Sequence, residues 1–165
     1  MKTVLLVRHA KSSWDDITLP DVERPLNKRG KKDAPKMAKR LRKKEIKIDA
    51  FISSPAKRAI KTAEHFIKEF DRDKDEIILA PGLYHAAIDN FYQAIHDADN
   101  GFNSIALFSH NPGITVFANE LNDNANIDNM PTCSIFAVKA DINNWNEFKE
   151  ASREFWFFDY PKKDS

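Results

Sequence analysis

The stretch Val4-Leu5-Leu6-Val7-Arg8-His9 decides the fold. Its residues are aliphatic and apolar on both faces, the pattern of a strand buried within a parallel sheet. Arg8 and His9 then leave the strand at its C-terminal end, and in open α/β sheets ligands bind where strands hand over to loops. A guanidinium offers a fork of donors suited to phosphate and an imidazole is a titratable nucleophile, so the pair points to phosphate chemistry.

A second strand of the same kind, Ser104-Ile105-Ala106-Leu107-Phe108-Ser109, delivers His110 as the first strand delivers His9. Between them the chain alternates strand and helix. Asn27 is placed to cap a helix with apolar positions at Ala34, Met37, Ala38 and Leu41, which Pro35 is expected to kink or delay. Asp49–Ile52 reads as a strand, and Ser54 with Pro55 as a helix start that sets Arg58 in the first turn, where anions collect. A third strand is expected at Glu76–Leu79 and a helix on Ile88, Phe91, Ile95 and Ala98, while Asn111-Pro112-Gly113 turns into another on Ile114, Phe117, Ala118 and Leu121. Ser134–Val138 and Arg153–Phe158 complete the sheet, one of them expected antiparallel, and the polar tail Pro161–Ser165 is expected to fray. The fold class is therefore α/β: a three-layer α/β/α sandwich with a mostly parallel central sheet and helices on both faces.

Length and composition set the bounds. At 165 residues the chain fits one domain, spanning 1–165, with a sizeable core. Its 26 basic and 25 acidic residues nearly cancel, so net charge does not point to a polyanion such as nucleic acid. Cys133 is the sole cysteine, which excludes an internal disulfide, and no cysteine set for a structural zinc site is present. No apolar run reaches membrane-span length, and Arg8 interrupts the N-terminal apolar stretch too early for a signal peptide, so a cytoplasmic protein without a membrane partner is expected. The first helix is densely basic from Lys28 to Lys47. A solvated outer face is the plain reading, and a docking patch for an acidic protein the functional one.

Val7-Arg8-His9-Ala10, Ser53-Ser54-Pro55 with Arg58 and Thr62-Ala63-Glu64, and Ser109-His110-Asn111-Pro112-Gly113 resemble the histidine phosphatase superfamily, the phosphoglycerate mutase-like fold. Within it the chain is similar to the small phosphohistidine phosphatases of the SixA type. The resemblance spans nearly the whole chain, including Arg24-Pro25-Leu26 with Gly30 and Pro131-Thr132. It implies that His9 attacks phosphorus and is transiently phosphorylated, that Arg8 and Arg58 clamp the phosphoryl oxygens and hold His9 neutral, and that His110 is a further donor, protonated when phosphate is bound. Ser12 is a candidate for the phosphate rim. No cofactor or metal is expected, and a monomer is.

Two departures narrow the substrate. Ala10 stands where the family usually has glycine, which is tolerable unless the backbone needs positive φ. The larger mutases and phosphomonoesterases carry a carboxylic acid after the third strand, whereas the stretch here is Leu83-Tyr84-His85-Ala86-Ala87. An alkoxide leaving group needs a proton, worth about 10²–10⁴-fold, and the imidazole of phosphohistidine needs less help. A phosphohistidine protein is thus the expected substrate. A broad small-molecule phosphomonoesterase using His85 or Asp89 as acid is the alternative, and a non-catalytic phosphate-binding module a third reading. His85 is also a candidate substrate contact.

Overall fold

The computed structural model describes residues 1–123 and 126–163. One six-stranded sheet runs in the order β3-β2-β4-β1-β5-β6. Its strands are β1 (Lys2–Arg8), β2 (Ala50–Ser53), β3 (Ile78–Leu79), β4 (Ser104–Ser109), β5 (Ile135–Ala140) and β6 (Arg153–Asp159). The first four pair in parallel, and β5 alone runs against the others, since it is antiparallel to both β1 and β6. The expected mostly parallel sandwich, with one reversed strand, is what forms.

The helices are α1 (Lys28–Arg42), α2 (Lys57–Glu69), α3 (Ile88–His96) and α4 (Gly113–Leu121). Alternate residues of β1 point to opposite layers. Leu5 and Val7 pack with Met37 and Leu41 of α1 and with Ala63 and Phe66 of α2. Val4 and Leu6 pack with Phe91 and Ile95 of α3 and with Phe117 of α4. That two-sided burial is why β1 carries no polar residue between Val4 and Val7.

Three local expectations are corrected. α2 starts at Lys57 with Ala56 as its N-cap, not at Pro55; Ser54 Oγ still accepts from the Ala56 amide at 3.2 Å, as a capping serine does, and also meets His110 Nε2 at 2.7 Å. The third strand shrinks to Ile78–Leu79, because Glu76 closes a 3₁₀ turn by capping the Asp73 amide. The tail is held as far as Lys163: the Pro161 carbonyl accepts from Lys36 Nζ (2.9 Å) and Arg40 Nη1 (3.3 Å), while Asp164 and Ser165 lie outside the described residues.

Pro35 neither delays nor interrupts α1, which starts at Lys28, where Asn27 Oδ1 accepts from Gly30 N at 2.8 Å. The carbonyl that Pro35 leaves without a helical donor belongs to exposed Lys31, where water can replace it. Ala10 is not among the residues with positive φ, so its methyl is accommodated; His85 and Cys133 do have positive φ, 54° and 60°.

α1 is seated on the loop after β1 by contact with Gly30. A Cβ there would stand 2.2 Å from the Lys11 carbonyl oxygen. Gly30→Ala is expected to displace either the helix start or the Lys11 loop and to lower unfolding stability by roughly 1–3 kcal/mol in urea denaturation.

Candidate active site

β1 and β4 are neighbours in parallel register, with Arg8 opposite Ser109, and the His9 amide donates to the Ser109 carbonyl at 3.1 Å. The residues that follow, His9 and His110, therefore emerge side by side with ring centroids 5.1 Å apart. β2 flanks β4 on its other edge and brings Ser54 to His110 and, through the first turn of α2, Arg58 to the same place. A cavity of about 220 Å³ results, lined by Arg8, His9, Ser12, Arg24, Arg58 and His110 together with Lys11, Trp14, Asn111 and Thr132.

The His9 ring is only 7% exposed, and its Nδ1 lies 2.7 Å from the Ala10 carbonyl oxygen. A carbonyl only accepts, so Nδ1 carries the proton and Nε2 keeps its lone pair. Burial pushes the His9 pKa down to about 3; the bond to Ala10 opposes this, and the charges of Arg58, Arg8 and Arg24 reinforce it. Burial, more than the arginines, is what keeps this imidazole neutral. His110 is likewise pushed down to about 3, by burial first and then by His9 and Arg58. The ring is therefore neutral near pH 7, and a bound dianion would offset the arginines and favour its protonation.

Asp21 organises the cations. Arg58, 6% exposed, donates from Nη1 to the Asp21 carbonyl (2.7 Å) and from Nη2 to its Oδ2 (2.9 Å). Oδ2 also accepts from Tyr84 Oη (2.6 Å), and Oδ1 from Arg24 Nη1 (3.0 Å). Desolvation works against its charge, but the bonds from Tyr84 and Arg58 prevail and hold the carboxyl well below the usual carboxylate range. The Tyr84 phenol is pushed up by its bond to Asp21 and stays protonated. Arg24 is further fixed by Ser13 O and Ser12 Oγ and stacks 3.4 Å from the exposed Trp14 ring. Thr62 links the loop to α2, accepting from the Ala10 amide (2.9 Å) and donating to Arg58 O (2.8 Å).

All four residues expected at the centre, Arg8, His9, Arg58 and His110, converge, and Ser12 joins them on the cavity wall. His85 does not. It lines an adjoining groove of about 960 Å³ with Tyr84, Ile88, Asp89, Pro112 and Val116, which shares Arg58, His110 and Asn111 with the small cavity. Sequence reasoning missed Asp21, Arg24, Ser54 and Tyr84 as members of the site. Arg24 and Ser54 stood inside quoted motifs, whereas Asp21 lies in a loop with no periodicity to mark it. Arg8 donates from Nη1 to Met130 O at 2.7 Å, and its Nε, like His110 Nδ1, is buried without a partner among the described residues.

A clamp of guanidinium groups around a neutral imidazole with a free ring nitrogen can receive a phosphoryl group. The family model of the histidine phosphatase superfamily (branch 1) matches residues 4–94. The chain belongs to that superfamily. An uncharacterised chloroplastic protein of Arabidopsis thaliana is 30% identical over 154 residues, which cover 88% of this chain and 70% of that one. Among solved structures, SixA from Agrobacterium tumefaciens superposes with a TM-score of 0.81 at 24% identity, covering 97% of this chain and 98% of that one. The protein histidine phosphatase SixA complexed with tungstate gives 0.83 at 21% identity, covering 99% of each chain. The expected family and SixA-type fold are thereby borne out, and the chain is a phosphatase of this superfamily. No helix among the described residues is long and apolar enough to cross a membrane.

The buried imidazoles set a dependence of stability on pH. The unfolded chain protonates each near pH 6.5, the folded chain only near 3, so the unfolded state binds more protons between those values and stability falls as pH drops through them. The slope is at most about 1.4 kcal/mol per pH unit for each histidine. Urea unfolding from neutral pH to about pH 4 is expected to show this loss, and the His9→Asn/His110→Asn double variant a shallower one.

Proposed function

We propose that this phosphatase removes the phosphoryl group from phosphohistidine on a protein, through a phosphohistidine intermediate on His9. The observation that carries the reading is the set of proton affinities around the clamp. Asp21 is the one carboxylate tied into it among the described residues, and the bonds it accepts from Tyr84 and Arg58 keep it ionised. It is thus a poor acid for an alkoxide leaving group, and the Tyr84 proton is committed to it. A phosphohistidine substrate makes the smallest demand on such a site, because its P–N bond is labile and the departing imidazole takes a proton readily from solvent.

His9 Nε2 attacks phosphorus as the bond to the substrate nitrogen breaks, and the imidazole leaves as a neutral ring after protonation. Arg8 and Arg58, with Arg24 beside them, neutralise the charge on the phosphoryl oxygens, where positioning and electrostatics supply most of the acceleration. Arg58 commits two N–H groups to Asp21 and retains three of its five for the anion. His110 and Ser12 complete the rim. Water then attacks the phosphorylated His9, releasing inorganic phosphate and restoring the free ring. The wide groove beside His110 has room for a residue presented on a protein.

Phosphomonoester hydrolysis is the second reading, favoured by one observation: His85 and Asp89 both line that groove. Comparing kcat/KM on a phosphohistidine peptide and on p-nitrophenyl phosphate separates the two. The peptide is expected to be preferred, with His85→Ala and Asp89→Ala near wild-type activity on it; a clear preference for the ester with a loss in either variant reverses the assignment. His9→Ala is expected to lose at least about 10³-fold activity and the acid-labile phosphoryl adduct in rapid-quench labelling. With His9 neutral down to about pH 3, kcat/KM should show no acid limb near the ordinary imidazole pKa from this residue.

A further inference from the structure

The phosphoryl site leaves the charge on α1 unexplained. Residues 28–47 hold eleven lysines and arginines against Asp33 and Glu45, a net of +9. The other 145 residues carry 15 basic and 23 acidic groups, a net of −8, so the overall +1 conceals a strong segregation. Part of the basic set is used within the fold. Arg29 pairs with Asp33, Arg40 with Asp159 and Arg42 with Asp71, Lys36 donates to Pro161 O, and Lys44 lies 4.4 Å from the Phe157 ring centroid.

Lys28, Lys31, Lys32, Lys39 and Lys43 are a different set: all are exposed and none of their ammonium groups makes a hydrogen bond or ion pair with the described residues. At 3.6 residues per turn, Lys28, Lys32, Lys39 and Lys43 fall within about 60° of one another, opposite the buried stripe of Ala34, Met37, Ala38 and Leu41, and extend about 22 Å along the helix. The N-terminal end of α1, where the strip begins, is seated on the loop that lines the active site. Gly30 packs against the backbone of Lys11, and Lys11 lines the small cavity.

We propose that the lysine strip of α1 docks an acidic face of the protein whose phosphohistidine enters the cavity. The proposal rests on the phosphohistidine reading above and adds how the partner is recognised. Unpaired charges of one sign attract and orient a partner of the opposite sign, and the net −8 of the other 145 residues disfavours such a partner elsewhere on the chain. A nucleic acid is the poorer occupant, since residues 28–47 include no aromatic side chain on which a base could stack. A membrane is poorer still, because the apolar side of α1 is buried against the sheet and none remains to insert.

The test uses the full chain and a Lys28→Glu/Lys32→Glu/Lys39→Glu/Lys43→Glu variant, with the four Lys→Gln changes as a second variant should the first fail to fold. Fluorescence anisotropy reads binding of a Glu-rich peptide, its Gln counterpart, duplex DNA and phosphatidylserine vesicles. The Glu peptide is expected to bind best, to weaken about tenfold or more in the variant, and to weaken with ionic strength. In parallel, a phosphohistidine peptide with Glu flanks is expected to show a lower KM than one with Gln flanks, the difference vanishing in the variant while activity on phosphoramidate is unchanged. Equal handling of Glu and Gln peptides overturns the proposal, as does tighter binding of DNA or vesicles, or self-association of the wild type that the variant abolishes. Phosphohistidine hydrolysis without charge preference removes the docking surface alone. Glu-peptide binding without phosphohistidine hydrolysis instead removes the substrate reading and, with it, the named partner.

Discussion

The parallel pairing of β1 with β4 places two histidines 101 residues apart in sequence beside each other. With Arg8 opposite Ser109, the next residue of each strand is an imidazole, and the amide of His9 closes the pairing on the Ser109 carbonyl. Successive residues of a strand face opposite layers, so a slip of one residue would turn one ring away from the other. The β2–β4 pairing, with Ser53 opposite Phe108, adds Ser54 to His110 in the same way and fixes where α2 begins. The site is therefore a consequence of register. Each element contributes because its hydrophobic residues must alternate between two buried layers, and that requirement holds the polar ends in line.

Once gathered, these groups would repel one another without a counter-charge. Arg8, Arg24 and Arg58 face a common cavity of about 220 Å³, and the carboxylate that answers them, Asp21, comes from the loop after β1. Asp21 binds Arg58 through its backbone carbonyl as well as its side chain, so the guanidinium is held in a plane while its remaining donors stay free. This suits a site that must receive an anion, since donors fixed beforehand need no reorganisation when charge arrives. The same carboxylate tempers the depression of the His110 pKa.

The sandwich, the strand order of the motifs and the four central residues were legible because each rests on a local rule. Buried strands show as unbroken apolar runs, and helices as stripes on Ala34, Met37 and Leu41 or on Ala59, Ala63 and Ile67. Asp21, Arg24 and Tyr84 were not legible as a unit, since their contact depends on how a long loop lies across α2, and sequence spacing carries no record of that. The Ser54–Pro55 helix start misled for a related reason. Ser54 keeps its local bond to the Ala56 amide while also meeting His110, more than fifty residues away, and the regular helix begins only at Lys57. The serine serves the site as well as the turn, and the tertiary half of that role has no local signature.

The ionised Asp21 and the neutral histidines share a physical setting. Burial strengthens the pull of the guanidinium groups on a phosphoryl dianion, and the same burial drives His9 and His110 to neutrality. Clustered positive charge keeps a neighbouring carboxyl ionised, as it does Asp21, so a proton donor placed within the clamp would be held in its charged form. An enzyme built on such a clamp either sets its acid apart in the groove, where the arginines act less strongly, or acts on a leaving group that departs without one. His85 and Asp89 line the groove and not the clamp, and Asp21, Tyr84 and Arg58 line the same groove. The arrangement favours anion binding over proton delivery within the clamp, because the charges that hold a phosphoryl group also hold a neighbouring carboxyl ionised.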